Sequence, residues 1–176
     1  GLCEAYPDFF KAEFLVDDEP DGIFTIHRFF ENCCDKDAIY IRIDDDVCWI
    51  AKDAIEKMIT ARLEDRSKFL IYGNTINHPV CSQIHQQNGL IPLVKGIATG
   101  DGLCEIAWRS GEFAELAHNA FLDKLESGNE RDFFIQDVVI PPQSRKRVAI
   151  NFISWLGEDM SACNGKVGEK EEDWLS

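Results

Sequence analysis

Residues Ala38 to Ile43 read AIYIRI, and the chain then runs directly into Asp44, Asp45 and Asp46. A run of β-branched and aromatic side chains of this length is typical of a short strand. The three acidic residues end the apolar run abruptly. The stretch therefore predicts a strand whose carboxyl end carries three carboxylates.

The segments around this stretch alternate between helix and strand. Ile23 to Cys34 and Lys52 to Arg66 carry apolar side chains at helical spacing, and Phe69 to Tyr72 (FLIY) is another strand-length apolar run. Alternating helices and strands predict an α/β fold, with a mainly parallel mixed sheet flanked by helices. Ligands of such a sheet bind outside the carboxyl ends of its strands.

The rest of the chain extends this pattern. Residues 1–22 mix aromatic and acidic residues around two prolines and predict an acidic peripheral segment, so the ordered domain is expected to span residues 23–176. Leu90 to Gly111, rich in glycine, predicts an irregular loop without the spacing of a phosphate-binding loop. The remaining predicted elements are helices over Val80 to Asn88 and Glu112 to Leu125, and strands over Phe133 to Ile140 and Arg147 to Leu156.

The net charge of the chain limits the kinds of molecule that it is expected to bind. The 176 residues include 18 Lys and Arg against 32 Asp and Glu, which gives a net charge of −14. Nucleic acid is therefore disfavoured as a partner, because its phosphates need a basic surface. No apolar run approaches the length of a membrane helix, so we expect a soluble protein, cytoplasmic if no targeting segment has been removed. A start at Gly1 suggests an excerpt of a longer protein.

The cysteine pattern does not predict a disulfide framework or a metal site. Seven cysteines are an odd number at irregular spacing, which favours reduced thiols. His78, Cys81 and His85 could place zinc ligands near one another, but the chain has no partner pair of the CxxC kind. A chance cluster is the better interpretation.

The three carboxylates after the first strand can carry chemistry. Like charges a few ångströms apart raise one another's pKa unless a cation neutralises them. In an extended chain, Asp44 and Asp46 would point to the same side about 6.6 Å apart. Oxygen ligands favour magnesium, manganese or calcium. The alternative is a solvated acidic turn that follows a strand.

The surrounding sequence resembles the DxD class of nucleotide-sugar glycosyltransferases with the GT-A fold. In particular, it is similar to a poorly characterised, largely fungal family of predicted glycosyltransferases. The resemblance covers roughly Ala38 to Leu175, and it implies that nucleobase-binding strands would precede Ile23, so that this GT-A-like domain is incomplete at its N-terminus. The motifs that carry it, in order, are RIDDDVCWI, NTINHPVCSQIHQQNG, RVAINFISWLGEDM and EEDWLS.

The resemblance implies a role for each acidic residue. Asp46 would bind a divalent cation, Mn²⁺ or Mg²⁺, that bridges the diphosphate of a nucleotide-sugar donor. Asp44 would contact the donor nucleotide or complete the metal shell. Asp45, the second candidate for cofactor binding, alternates to the opposite side of the strand and is expected rather to support the turn. Such a cation neutralises the charge that develops on the leaving group. The acceptor, whether glycan, protein or small molecule, stays open.

An inverting enzyme of this class also needs a carboxylate base to take the proton of the acceptor hydroxyl. The resemblance places it at Glu172 and Asp173, before an amphipathic start of a helix. Glu158 and Asp159 are the competing pair. Acids in the first turn of a helix also have an ordinary structural role, because they stabilise the helix dipole.

Two other functions compete with glycosyl transfer. One is a non-catalytic domain that binds a divalent metal or a sugar. The other is an aspartyl-nucleophile phosphatase, which is disfavoured because Cys48 stands where its signature needs Thr or Val. Asn74, Asn77 and His78 could hydrogen-bond a sugar, although turn chemistry explains them better. Trp49 and Trp155 are expected in the core, and Trp174 could stack on a sugar ring.

Overall fold

The structure, a computed structural model, describes residues 1–12, 28–100, 104–136, 138–141 and 148–168. The described part is mixed α/β, which confirms the predicted class at this coarse level. Its elements are α1 (Leu2–Ala5), β1 (Ile39–Ile43), α2 (Ala54–Glu64), β2 (Ile71–Tyr72), α3 (Pro79–Gln87), α4 (Glu105–Arg109), α5 (Gly111–Glu126), β3 (Phe152–Leu156) and α6 (Gly157–Ala162), with short 3-10 helices at Leu93–Lys95 and Glu130–Phe133.

The chain divides into two compact units. The first consists of Gly1–Ala38 and Leu156–Trp174. The second consists of Ile39–Trp155 together with Leu175–Ser176, and it holds most of the described helices and strands. The acidic stretch after β1 belongs to this second unit.

The sheet has three strands in the order β1-β3-β2. β2 pairs with β3 in antiparallel fashion, with Ile71 opposite Ser154. β1 is also antiparallel to β3, because Asp44 N–H donates to the carbonyl of Asn151 at 2.8 Å while Gly157 N–H donates to that of Ala38 at 3.0 Å. The prediction of a mainly parallel sheet is therefore wrong for the strands that the structure describes.

The position of β3 explains this difference. β1, α2 and β2 follow one another as predicted, and β1 and β2 run in the same direction because both are antiparallel to β3. β3 is inserted between them from much later in the chain and is buried along its whole length. Such long-range insertion leaves no local mark on the sequence of β1 or β2.

The helices of the second unit pack around an aromatic core. The α5 helix starts at a well-formed cap, because the hydroxyl of Ser110 accepts a hydrogen bond from the backbone N–H of Phe113 at 3.1 Å. Its buried face carries residues at the predicted helical spacing. The buried core residues are Ile91, Ala98, Cys104, Ala107, Phe113, Ala117, Phe121 and Phe133.

A buried glutamine fixes the loop that follows α3. The amide oxygen of Gln86 accepts a hydrogen bond from Ala98 N–H at 2.7 Å, and its amide nitrogen donates to the Gly96 carbonyl at 2.8 Å and to the Pro92 carbonyl at 3.3 Å. Irregular backbone can be buried only when its polar groups find partners. Gln86 supplies them for this loop.

Several predicted boundaries need correction. The stretch predicted as irregular, Leu90 to Gly111, contains the 3-10 helix Leu93–Lys95 and α4. The strand predicted over Phe133 to Ile140 is wrong in its described part: Phe133 ends a 3-10 helix, and the other described residues there are not in a strand. Of the first predicted helix, residues 28–32 form a 3-10 helix and residues 23–27 lie outside the described part.

Candidate functional site

The three acidic residues form a tight turn rather than an extended continuation of β1. Val47 N–H donates to the carbonyl of Asp44 at 3.3 Å, so Asp45 and Asp46 occupy the two central positions of a four-residue turn. Strand alternation ends at Asp44. The expected extended spacing of Asp44 and Asp46, about 6.6 Å on one side of a strand, therefore does not apply.

Arg42 neutralises the first of the three carboxylates. Its Nε lies 2.6 Å from Oδ1 of Asp44, and both side chains are largely shielded, with 18% and 22% of their surfaces exposed. The pair follows from the sequence, because residues i and i+2 of a strand point to the same side. The charge of Asp44 is thus balanced within the protein, and the turn does not need a metal for its own stability.

Asp45 and Asp46 are exposed at the tip of the turn. Oδ1 of Asp46 lies 3.5 Å from the amide nitrogen of Asn151, which precedes β3. This weak hydrogen bond leaves most of the acceptor capacity of the Asp46 carboxylate open to solvent, since a carboxylate has about four lone-pair sites. Asp46 is therefore the best-placed direct ligand for a cation in this turn.

The carboxyl ends of β1 and β2 lie at the same edge of the sheet. Asp44 N–H bonds to Asn151 and Gly73 N–H bonds to the next residue, Phe152, at 2.6 Å, so both strands end beside the start of β3. Two strand spacings separate them, or roughly 10 Å. The acidic stretch after β1 and the Asn-rich turn after β2 therefore share one edge of the sheet, although β1 and β2 are not neighbours.

The polar residues after β2 are used mainly within the protein. Asn74 donates its side-chain amide to the carbonyl of Phe133, 59 residues away, which is a structural role but not the local turn bond expected of it. His78 is buried at the start of α3, edge-on to Trp108 with 5.3 Å between ring centroids. The buried amide oxygen of Asn77 has no hydrogen-bond partner among the described residues.

His78, Cys81 and His85 do not form a zinc site. Within the described ranges, no three His, Cys, Asp or Glu side chains are grouped so that they could hold a metal ion. Nε2 of His85 lies 2.8 Å from the Phe133 carbonyl, and burial lowers the pKa of this histidine. Burial likewise raises the pKa of the Cys81 thiol, and hydrogen bonds to Thr75 partly offset that effect. All three side chains are buried in the core.

The lack of a three-residue cluster in the described part limits how a cation can bind at the acidic turn. A protein site with one or two carboxylates is the ordinary arrangement for Mg²⁺ that arrives with substrate phosphates, because the phosphates and water supply the other ligands. The exposed carboxylate of Asp46, a hard oxygen donor, fits that arrangement.

An aromatic row leads from the surface near this turn into the core. Trp49 is 42% exposed, so the expectation of a core tryptophan is wrong here, whereas Trp155 is buried as expected and stacks on Tyr40. The exposed Trp49 packs edge-on against Phe121 at 5.1 Å, and Phe121 in turn contacts Phe133 at 5.5 Å. An indole held on one side and open on the other can receive a flat apolar group.

The residues predicted as the catalytic base, Glu172 and Asp173, lie outside the described residues, and so does Trp174. The competing pair, Glu158 and Asp159, occupies the first turn of α6, where acidic side chains stabilise the helix dipole. Glu158 is exposed and Asp159 is half-buried.

Sequence reasoning missed Arg42 and Asn151. The i, i+2 spacing of Arg42 and Asp44 was available as a signal for an ion pair on one strand face. Asn151 had no such signal, because its position beside Asp46 depends on the insertion of β3 between β1 and β2.

No family model, curated protein or solved structure matches this chain. Among the residues that the structure describes, no helix is both long enough and apolar enough to cross a membrane. Any functional assignment therefore depends on the acidic turn and on the sheet edge around it.

Proposed function

We propose that this chain is the donor-binding part of a metal-dependent glycosyltransferase, of a GT-A-like kind, that takes a sugar from a nucleotide-sugar. The observation that supports the proposal best is the acidic turn at the sheet edge where β1 and β2 both end. Ligands of α/β proteins bind at such edges. The resemblance of the RIDDDVCWI stretch to DxD enzymes points to the same residues.

The cation in this proposal is brought by the diphosphate. Asp46 is the direct ligand, because its carboxylate is exposed and only weakly hydrogen-bonded to Asn151. Asp45 is exposed beside it at the tip of the turn. A divalent cation bound by the Asp46 carboxylate together with the phosphates would neutralise negative charge on the leaving group, which is Lewis-acid catalysis.

Asp44 has a separate role in the proposal. Its carboxylate is fixed by the 2.6 Å contact with Nε of Arg42, which leaves it less available for a metal and well oriented to accept hydrogen bonds. A ribose or sugar hydroxyl is the matching donor. The half-exposed indole of Trp49 offers a face on which a sugar ring or nucleobase can pack.

The base for the acceptor hydroxyl remains assigned to Asp173 and Glu172, with Asp159 and Glu158 as the competing pair. Donor binding and base catalysis depend on different residues, so each can be tested on its own. Donor and metal binding need the acidic turn alone, and transfer also needs the base. A protein that binds a nucleoside diphosphate with Mn²⁺ but has no transferase activity would favour the non-catalytic alternative.

The experiment is a thermal-shift panel. Nucleoside diphosphates with different bases, and nucleoside monophosphates as controls, are added with and without Mn²⁺. A ligand present at 100 times its dissociation constant stabilises the native state by about 2.7 kcal/mol. We expect a rise in melting temperature only when one diphosphate and the metal are both present. Equal shifts for monophosphates and diphosphates, or no shift with any pair, would contradict the proposal.

A further inference from the structure

Two of the four cysteines in the unit formed by Gly1–Ala38 and Leu156–Trp174, namely Cys34 and Cys163, lie on segments that are distant in sequence. Cys34 and Cys163 are both partly buried, and neither is in a disulfide. The thiol of Cys34 donates to the carbonyl of Phe30 at 3.4 Å, and the thiol of Cys163 donates to the carbonyl of Met160 at 3.2 Å. Each thiol is thus held close to the backbone of its own segment.

Gly165 brings the two segments into direct contact. It follows the end of α6 with a φ of +70°, and its N–H donates to the Met160 carbonyl at 3.0 Å. A Cβ at this position would lie 2.4 Å from Cα of Glu31 and 2.5 Å from the Phe30 carbonyl oxygen, so only glycine allows this approach. The carbonyls that accept the two thiols therefore both contact Gly165.

The electrostatics of Cys34 agree with this packing. Burial raises the pKa of the Cys34 thiol, and the negative charges of Cys163 and Glu31 raise it further. The Gly165 contact places both thiols in the same part of this unit. The raised pKa keeps most of the Cys34 thiol protonated at neutral pH, so its reaction with a disulfide is slow there and becomes faster as the pH rises.

We propose that Cys34 and Cys163 are a redox modification site, at which a low-molecular-weight disulfide such as glutathione disulfide joins them in a reversible disulfide. One thiol loses its proton and attacks the glutathione disulfide, which forms a mixed disulfide and releases one glutathione thiolate. The second thiol, once deprotonated, attacks the protein sulfur of that mixed disulfide and releases the second glutathione thiolate. The protein loses two electrons and two protons, and the two glutathione molecules gain them.

The consequence is a covalent tie between the segment before β1 and the segment after α6. A disulfide stabilises a fold mainly by restricting the unfolded chain, and the effect grows with the length of the loop that it closes. The loop from Cys34 to Cys163 contains the whole sheet. We therefore expect the oxidised protein to unfold at a higher urea concentration than the reduced protein, and added dithiothreitol to reverse the difference.

Peptide mapping tests the proposal. The full chain is incubated with glutathione disulfide, its remaining thiols are blocked with N-ethylmaleimide, and it is digested with trypsin without reduction. Cys33 and Cys34 share one tryptic peptide, FFENCCDK, so the variants Cys33→Ser and Cys34→Ser are needed to distinguish them. We expect the peptide linked to Cys163 in the wild type and in Cys33→Ser. We expect none in Cys34→Ser or Cys163→Ser.

A parallel oxidation in denaturing urea controls for random pairing. Unfolded chain has no reason to favour one pair among seven cysteines, so the Cys34–Cys163 peptide should fall to a minor product there. The proposal is overturned if this peptide forms equally well in urea. It is also overturned if native protein yields only mixed disulfides with glutathione, or if Cys33→Ser abolishes the linked peptide.

Discussion

His85 makes the stability of this protein depend on pH in a way that one substitution should remove. The side chain is fully buried, its Nε2 lies 2.8 Å from the Phe133 carbonyl, and its Nδ1 has no hydrogen-bond partner among the described residues. A carbonyl only accepts, so Nε2 carries the proton and Nδ1 is the basic nitrogen. Protonation would place a charge and an unpaired N–H in the core.

The pKa of His85 determines the direction and the size of the pH effect on the free energy of unfolding. Burial lowers the pKa of folded His85 below the ordinary histidine value of about 6.5, and the hydrogen bond to Phe133 offsets only part of this. The unfolded chain therefore binds a proton first as the pH falls. The stability that neutral His85 contributes is fully present above about pH 6.5 and is lost as the pH falls from there towards the folded pKa. The loss cannot exceed about 1.4 kcal/mol per pH unit, because one proton is taken up.

The assay is urea unfolding at constant ionic strength from about pH 8 to pH 5, for the wild type and for His85→Gln. Glutamine can donate to the Phe133 carbonyl but does not titrate. We expect the variant to be less stable than the wild type at pH 8, because it loses the ring contact with Phe133, 4.7 Å between centroids. The difference should shrink as the pH falls. If the free energies of unfolding of the two proteins change in parallel with pH, titration of His85 does not contribute to the pH dependence.

Two substitutions test the burial of polar groups. Gln86→Met leaves the N–H of buried Ala98 without a partner and should cost about 2 to 4 kcal/mol of unfolding free energy, whereas the exposed neighbour Gln87→Met should change it by less than about 0.5 kcal/mol. Equal effects of the two substitutions in urea unfolding would show that Gln86 does not hold the loop. Ser154→Ala removes a buried hydroxyl that has no partner among the described residues, so the unfolding free energy should stay level or rise. A loss above about 1 kcal/mol in the same assay would mean that this hydroxyl has a hydrogen-bond partner.

The sequence predicted the local elements well and the long-range arrangement poorly. β1, α2, α3 and α5 follow from apolar spacing within each segment, and their observed bounds lie close to the predicted ones. The order of the strands depends instead on where β3 inserts, which no local pattern encodes. The sheet was therefore predicted to be parallel when the described pairings are antiparallel.

Two errors at finer scale have specific causes. Phe133 was predicted in a strand because its neighbours are apolar and β-prone, yet it ends a 3-10 helix whose last carbonyl faces the side chains of Asn74 and His85. These contacts span 59 and 48 residues and are invisible in a local window. The spacing of Asp44 and Asp46 was wrong because the chain turns as soon as it leaves β1.

The acidic stretch after β1 was predicted from the sequence, whereas the turn that it forms was only the alternative interpretation, and its ligand capacity required the structure. The predicted need for a metal came from three adjacent like charges. The ion pair between Arg42 and Asp44 removes one of these charges, and exposure to solvent weakens the repulsion between the other two. The fold of this turn therefore does not require a cation.

Calorimetric titration of a nucleoside diphosphate, chosen from the thermal-shift panel, tests whether Asp46 binds a metal ion together with the diphosphate. It is carried out with and without Mn²⁺ on the wild type, on Asp46→Asn and on the matched control Asp45→Asn. We expect Mn²⁺ alone to bind weakly, and the metal and the diphosphate to bind tightly when both are present. We also expect Asp46→Asn to abolish this joint binding and Asp45→Asn to weaken it much less. Equal losses in the two variants, or diphosphate binding that is independent of Mn²⁺, would contradict the assignment of Asp46 as the metal ligand.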